Sequence, residues 1–455
     1  MGGKLIVAAA LLVWAALPGV ALAASGSGNE GAGGELGTVV LLVVVIGVAY
    51  VLAHNVVERL QRRFLVVSGA EYLLLGFLLG PASRMFLPLD FRPLDDMDGL
   101  LPIVALAAGW VGLLRGTDFD FASLQKLDPA TWRIVFLHHL LPGLAVGVGS
   151  YYFFTATGWV PSMTGDVASD AALSAAALAC FAAADSAEPF DLLARRYEIS
   201  GRLAPLLRNG TRLGDIAVIL AFGLIFCVFH ENAPDAPVYS PSTWAWVTVG
   251  LGAALGFLFS LFLAGDESDN SRFLALVGIV TFASGGAYFL ELSPLAVNLS
   301  MGFILVNFAR GGQLLHTTLE STERPMTLVL LIFAGALWQP TELVPTLLAL
   351  GGFLVLRTGA KWLASAIAGW GTTLRKDLFR GLLAHGDVTL AMAVSFRLVY
   401  KGEAATIAYS VVLGSIILND LMAPRLLRGL LVDEGEIQRE LKDSDSRTSI
   451  EVTTR

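Results

Sequence analysis

Apolar stretches long enough to cross a lipid bilayer recur along the whole chain and are separated by short polar segments. A helix needs about 20 apolar residues to span the hydrocarbon layer, and most of these stretches contain about 17–25. After residue 30 the pattern predicts thirteen such helices, centred near residues 45, 73, 107, 145, 180, 217, 253, 281, 302, 333, 356, 388 and 413. The sequence therefore predicts an all-α polytopic membrane protein.

The N-terminus has a different pattern. Lys4 precedes a short apolar run over residues 5–17, and the Ala21-Leu22-Ala23 tripeptide then leads into a polar segment. A basic start, a short apolar core and an A-x-A ending are typical of a secretory signal. The alternative is a short first membrane helix. We predict a signal peptide over residues 1–23 that is cleaved, a transmembrane domain over 24–430 and a short cytoplasmic tail over 431–455.

The distribution of positive charge predicts the orientation in the membrane. Lysine and arginine are concentrated in loops that stay on the cytoplasmic side. If the mature N-terminus lies outside, nineteen of these residues fall in inner loops and four in outer loops. We therefore expect a multi-pass protein of the bacterial inner membrane with its N-terminus out and its C-terminus in. The four outer residues are Arg84, Arg92, Arg397 and Lys401.

Composition excludes several classes of protein. Of 455 residues, 55% are hydrophobic and 15% are charged, against about 25% charged in globular proteins. A soluble enzyme, a nucleic-acid-binding module and a disordered chain are all excluded. Cys180 and Cys227 lie in apolar stretches and do not make a disulfide framework. We expect no cofactor and no resident metal, and a tail that forms at most a cytoplasmic helix.

Four of the predicted helices carry ionisable groups at membrane depth, where each is costly unless it is paired or hydrated. The fifth helix is interrupted around Asp185, and the twelfth is interrupted at Gly386. Two broken helices at matching places in two halves indicate a transporter site built on inverted repeats, with the two interruptions crossing. The polar residues concerned are Asp185, Ser186, Asp215, Arg357, Lys361 and Asp387.

Seven short motifs in these helices resemble, in the same order, those of the monovalent cation/proton antiporters, which include the bacterial sodium/proton exchangers and their potassium-efflux relatives. The resemblance covers nearly the whole mature chain. The motifs are Leu75-Gly-Phe-Leu-Leu-Gly-Pro81, Leu113-Leu-Arg-Gly-Thr-Asp-Phe-Asp120, Ala183-Ala-Asp-Ser186, Gly214-Asp215, Leu331-Ile-Phe-Ala-Gly335, Gly359-Ala-Lys361 and His385-Gly-Asp387.

The resemblance implies secondary active antiport of a monovalent cation against protons by alternating access, with Na⁺ favoured over Li⁺ and K⁺. Asp215 would hold a proton or a cation, with Asp185, Ser186 and freed backbone carbonyls as companion ligands. Lys361, Arg357 and Asp387 would balance the charge at the crossing. The resemblance also implies a homodimer formed through the first mature helix, residues 37–53.

Three positions depart from the family pattern. Gly214 replaces the first residue of an Asn-Asp or Asp-Asp pair, Asp387 replaces a glutamate, and Arg357 is an added cation. Asp215 is then the pair's only carboxylate. Because Asp387 is expected to keep Lys361 charged, we expect one-for-one, electroneutral exchange.

Structural roles are the alternative for each candidate. In these alternatives, Asp185 would cap a broken helix and Asp215 would lie at the cytoplasmic interface. Lys361 and Arg357 would reach back to the inner surface. Asp387 would be only a partner of those two cations. Two further groups of residues receive structural interpretations. His138 and His139 are interpreted as packing or pH-tuning residues, and Asn419 and Asp420 as a helix-end feature.

Other functions stay open at this point. A potassium/proton exchanger uses the same residues, and a passive cation channel also places polar groups at depth. An intramembrane aspartyl protease is a remote alternative, since it needs Gly-x-Gly-Asp and position 212 is Arg212.

Overall fold

The computed structural model describes residues 69–81, 100–156, 167–230, 239–263, 269–309, 312–372 and 374–440. The predicted signal peptide and the first predicted helix, with its proposed dimer face, lie outside the described residues. A helix covers each of the other twelve predicted centres. The all-α polytopic prediction is confirmed. Six of the described helices are long and apolar enough to cross a membrane, so the number thirteen stays a prediction.

The elements follow one another in this order. The first half contains α1 (Ala70–Leu79), α2 (Leu101–Thr117), α3 (Phe121–Leu124), α4 (Pro129–Ala156), α5 (Val167–Ala183), α6 (Glu188–Ala194), β1 (Tyr197–Ile199) and α7 (Leu203–Val228). The second half contains α8 (Pro241–Leu263), α9 (Asp269–Phe289), α10 (Pro294–Phe308), α11 (Gly312–Ala336), α12 (Leu343–Ala368), a 3₁₀ turn (Leu378–Gly381), α13 (Asp387–Val399), α14 (Glu403–Asp433) and β2 (Ile437–Glu440).

The helices pack in two groups, and α7 and α13 lie between them. One group contains α1, α2 and α8 to α11, and the other contains α4, α5, α12 and α14. Many large apolar side chains stand exposed on the outside, such as Phe136, Trp246 and Phe289. A protein that crosses a bilayer presents such an apolar surface to lipid. Its backbone polar groups are paired inside the helices and are not exposed to the hydrocarbon.

Small residues let helices approach closely in the first group. A Cβ atom added at Gly112 of α2 would lie 2.3 Å from the carbonyl oxygen of Leu295 in α10. Close backbone contact of this kind drives helix association in membranes, where burial of apolar surface supplies little.

The C-terminal tail does not continue as a helix after α14. Residues Ile437–Glu440 form β2, which pairs antiparallel with β1, so the expectation of a helical tail is wrong for this part. The preceding residue, Glu436, is buried, and its carboxylate accepts hydrogen bonds from the backbone N–H groups of Leu203 and Ala204. The tail therefore caps the first turn of α7, the helix that carries Asp215.

Candidate functional site

The two interrupted helices meet at their breaks. The first break separates α5 from α6, and the second separates the 3₁₀ turn from α13. A Cβ atom added at Gly386 would lie 2.5 Å from Ser186 Oγ, so only glycine permits this approach. The Ser186 hydroxyl accepts the backbone N–H of Glu188 at 3.2 Å. The expected crossing of two interrupted helices is therefore present.

Arg357 of α12 ties both breaks together. Its guanidinium donates to the carbonyl oxygens of Ala182 and Ala184 in the first break, at 3.1 and 2.9 Å. It also donates to Leu383 and Ala384 before α13, at 2.7 and 3.5 Å. Interrupted helices leave carbonyl groups without intrahelical donors, and the five-donor fork of arginine suits several acceptors at once. Arg357 is 1% exposed, so it does not reach the inner surface.

Lys361 lies one turn further along α12 and is also fully buried. Its ammonium group forms an ion pair with Asp185 Oδ1 and lies 3.5 Å from the carbonyl oxygen of His138. Arg357 Nη2 is 3.6 Å from the same Asp185 oxygen. The negative charge in the first break is therefore matched by two cations of α12.

The second oxygen of Asp185 has a different environment. Asp185 Oδ2 is buried and accepts no hydrogen bond from any group in the described residues. It lies 3.8 Å from Nε2 of His139, which is buried and also without a hydrogen-bond partner there. One carboxylate oxygen of Asp185 therefore faces two cations, and the other is buried without a hydrogen bond from the described residues.

Asp215 lies midway along α7 and is 3% exposed. The alternative place at the helix end is therefore wrong. Its Oδ1 is a third buried acceptor with no hydrogen-bond donor among the described residues. Asp215 is close enough to Asp185 and to Arg115 for electrostatic interaction. Asp215 therefore interacts both with Asp185 and with the Arg115–Asp387 pair.

Asp387 does not pair with Lys361 or Arg357. Asp387 Oδ2 accepts a hydrogen bond from Arg115 Nη2 at 2.9 Å, and Arg115 also pairs with Glu323 at 2.7 Å and Asp118 at 3.2 Å. The expectation that Asp387 keeps Lys361 charged is therefore wrong, and electroneutral exchange loses its premise. Asp387 begins α13, where a carboxylate is favoured by the helix dipole.

A cavity of about 310 Å³ reaches the crossing from the side of Arg115. Ser186 and Asp387 lie where it meets the breaks, and its walls carry charges of both signs. The charged and titratable lining residues are Arg115, Asp118, Glu188, Asp191, Arg195, Arg212, His316, Glu323, Arg324 and Asp387. The cavity therefore brings water-sized space with charged walls as far as Ser186 and Asp387.

Comparison with known proteins decides the family. A family model described as "Sodium/hydrogen exchanger, transmembrane" matches residues 113–429, which contain every candidate residue named above. The chain belongs to this exchanger family. The exchanger is therefore a multi-pass cation/proton antiporter and not an enzyme, so the protease alternative is wrong. No curated protein matches it.

Two solved structures have a similar fold. Both are of the sodium proton antiporter MjNhaP1 from Methanocaldococcus jannaschii. One, at pH 8, is 15% identical with a TM-score of 0.59 and covers 87% of the exchanger and 99% of that chain. The other, an electron-microscopy map, is 16% identical with a TM-score of 0.56 and covers 88% and 99%. At such identity the likeness shows the fold alone.

The sequence interpretation missed several residues of the exchanger's crossing. Arg115 is one of the nineteen basic residues predicted in inner loops, but it is buried near the end of α2. Its three carboxylate partners lie far away in the sequence or across a turn. Asp420 was interpreted as a helix-end feature, but α14 continues to Asp433. Asp420 Oδ1 accepts the backbone N–H of His385 in the second break at 3.0 Å. A carboxylate inside an apolar helix was the available signal for Asp420.

Proposed function

We propose that the exchanger moves Na⁺ and protons in opposite directions through one site at the crossing, made by Asp215 and Asp185. One observation carries the proposal. Asp215 Oδ1 and Asp185 Oδ2 are buried carboxylate oxygens that accept no hydrogen bond from the described residues. Both belong to the helices that the sequence singled out for ion binding.

Such oxygens need a positive partner. A buried acceptor without a donor costs roughly 1–3 kcal/mol, and more when it is charged. A proton on the carboxyl group removes the charge, and a dehydrated cation in contact with the oxygens balances it. The same oxygen does not hold both, so each ion displaces the other. Competition for one pair of carboxylates therefore couples the two fluxes.

Lys361 gives the site a built-in competitor. Its ammonium group already occupies Asp185 Oδ1, so a cation that approaches Asp185 meets Oδ2 first. We propose that the arriving cation weakens the Lys361 pair, while Arg357 keeps the two breaks together through its carbonyl bonds. In this scheme Ser186 and Asp387 act at the mouth of the site, because both line the cavity.

Sodium is the proposed cation, and Li⁺ and K⁺ are the competitors to test. The family description names sodium, and hard cations prefer oxygen ligands such as those of Asp185 and Asp215. Alternating access follows if the group containing α5, together with α13, moves against the group containing α10, so that the cavity closes and the site opens on the opposite side. We further propose a homodimer in the bacterial inner membrane, with the N-terminus out and the C-terminus in.

The test is proton flux in sealed proteoliposomes that hold a pH gradient and a pH-sensitive dye. We expect added Na⁺ to collapse the gradient, with Li⁺ and K⁺ in separate runs. Since collapse requires coupled counterflow, a passive channel gives cation flux without it. Asp215→Asn should abolish the response and leave the protein folded. Asp185→Asn should weaken the apparent cation affinity without abolishing exchange, because the cation loses one charged ligand whose role is shared with backbone oxygens.

Asp377→Asn is a matched control. Asp377 is a partly exposed loop carboxylate, and hydrogen bonds from Arg375 hold its pKa below the usual value, so it is charged throughout pH 6–9. The change removes one negative charge without touching the crossing and should leave exchange intact. Normal exchange in Asp215→Asn, or no response to any cation in the wild-type protein across that pH range, contradicts the proposal.

A further inference from the structure

The imidazole of His139 fills the space beside Asp215 that a side chain at position 214 would occupy. A Cβ atom added at Gly214 would lie 1.8 Å from Nε2 and 2.0 Å from Cε1 of His139. His139 comes from α4 and Gly214 from α7. The ring therefore rests on the backbone of the residue that precedes the site carboxylate, and only a glycine at 214 permits this.

The hydrogen bond on the other side of the ring determines which atom faces the site. His139 Nδ1 lies 2.7 Å from the carbonyl oxygen of Val135. A carbonyl only accepts, so Nδ1 carries the proton, and in the neutral ring Nε2 carries a lone pair. Nε2 is buried, has no hydrogen-bond partner in the described parts of the chain, and lies 3.8 Å from Asp185 Oδ2.

Two facing acceptors at this distance repel each other unless something positive lies between or beside them. The charged groups that interact most strongly with His139 are Asp185, Lys361 and Arg357. Lys361 and Arg357 are engaged with Asp185 Oδ1 and with backbone carbonyls, so neither serves Nε2. The imidazole nitrogen and the free Asp185 oxygen are close enough for one small cation to contact both.

We propose that His139 is a specificity-determining residue of the cation site, and that it supplies from α4, through Nε2, the neutral polar ligand that α7 lacks at Gly214. This inference rests on the proposed function and deepens it. The cation then contacts two carboxylates from α5–α6 and α7 and one imidazole from α4. The ligand set differs from an all-oxygen site in one nitrogen, which is less suited to hard cations.

The neighbouring residue shows that the arrangement is particular to His139. His138 is also buried, and its Nδ1 also lies within hydrogen-bond distance of the carbonyl one turn earlier, but its Nε2 is satisfied by Ser365 Oγ at 2.9 Å. Its ring is therefore held by α12 and has no free acceptor. His138→Phe is the matched control, since it removes an adjacent buried imidazole of the same helix.

The central variant is His139→Phe, which keeps an aromatic ring over Gly214 and removes the nitrogen. We expect the apparent KM for Na⁺ to rise about tenfold with maximal flux kept within about twofold, because a ligand to a charged group is lost. His139→Gln, which restores an acceptor, should recover most of the affinity. His138→Phe should leave the apparent KM unchanged.

A second variant keeps the test decisive if His139→Phe does not fold. The double substitution His139→Ala with Gly214→Asn moves the polar group from α4 to α7 within the same space. It should bind Na⁺ nearly as the wild-type protein does, whereas Gly214→Asn alone places two side chains in one volume and should impair folding. A wild-type apparent KM in His139→Phe, a loss of maximal flux alone, or failure of the double variant to bind Na⁺ overturns the inference.

A binding measurement separates this inference from the proposed function. Thermal stabilisation of the detergent-solubilised protein by NaCl, against choline chloride, reports cation binding without transport. If the wild-type protein is not stabilised and shows no exchange, the proposed function fails. If the wild-type protein and His139→Phe are stabilised equally at every Na⁺ concentration, only the role of His139 fails.

Discussion

Removal of the Arg357 side chain should damage the fold at the crossing more than removal of any ordinary buried arginine. In Arg357→Ala the carbonyl groups of both breaks lose their shared donor. Three of the four contacts are 3.1 Å or shorter, those to Ala182, Ala184 and Leu383. The Arg357→Ala substitution therefore removes hydrogen bonds from both interrupted helices at once, and not only a single side-chain contact.

The magnitude follows from the carbonyls left without a donor. Each costs roughly 1–3 kcal/mol, so three cost about 3–9 kcal/mol before any relaxation. This is a large part of the roughly 5–15 kcal/mol that stabilises a typical protein. Domains of 150–250 residues lose about 2–4 °C of melting temperature per kcal/mol. A larger chain loses less, about 1–2 °C per kcal/mol by the same scaling, so we expect a fall of at least about 3 °C.

The assay is thermal unfolding of the purified protein followed by tryptophan fluorescence, with hydrogen exchange at residues 182–187 and 383–387. Arg357→Lys should fall between wild type and Arg357→Ala, because one ammonium group does not reach both breaks. Arg397→Ala is the matched control. Arg397 is 5% exposed and donates to the Tyr400 carbonyl and to Gln339. The Arg397→Ala substitution therefore removes the same side-chain volume and charge at a place away from the crossing.

The reasoning is refuted if Arg357→Ala melts within about 2 °C of the wild-type protein, or no lower than Arg397→Ala. Unchanged hydrogen exchange at both breaks in Arg357→Ala would refute the reasoning equally, because the hydrogen bonds from Arg357 are expected to hold the backbone of both breaks in place.

Three smaller changes give further checks. Gly386→Ala should lower melting temperature and flux because its Cβ would lie 2.5 Å from Ser186 Oγ, while Gly359→Ala, with nothing within 4 Å, should not. Glu436→Ala should destabilise the first turn of α7 by about 0.5–2 kcal/mol, seen as faster hydrogen exchange at residues 203–207, with Glu436→Gln largely normal. Asp420→Ala should lower the free energy of unfolding by about 1–3 kcal/mol, measured by thermal unfolding. Asp420→Asn should lower it less, because the amide oxygen still accepts the His385 N–H. Equal losses in the two variants would contradict the role of Asp420 as this acceptor.

Much of the fold was predictable from the sequence because hydropathy in a membrane is a local property. A helix that crosses lipid must satisfy its own backbone and present apolar side chains outward, so the stretches themselves indicate the helices. Ionisable residues at membrane depth are rare and costly, so Asp185, Asp215, Lys361 and Arg357 stood out without any knowledge of their neighbours. The interruptions at Asp185 and Gly386 were visible for the same reason.

The partners of these charges were decided only by the tertiary structure. Asp387 follows Lys361 closely in sequence, yet its partner is Arg115 on α2, because the start of α13 points into the cavity and Lys361 points to the first break. Likewise, no local pattern indicates that the tail residue Glu436 caps α7, since the two are more than two hundred positions apart. Hydropathy assigns a residue to a depth in the membrane, and a charge pairs with whatever the packing of distant helices brings within a few ångströms. For that reason the sequence determined which residues are buried and polar, and the packing determined that His139 and Gly214 share one space beside Asp215.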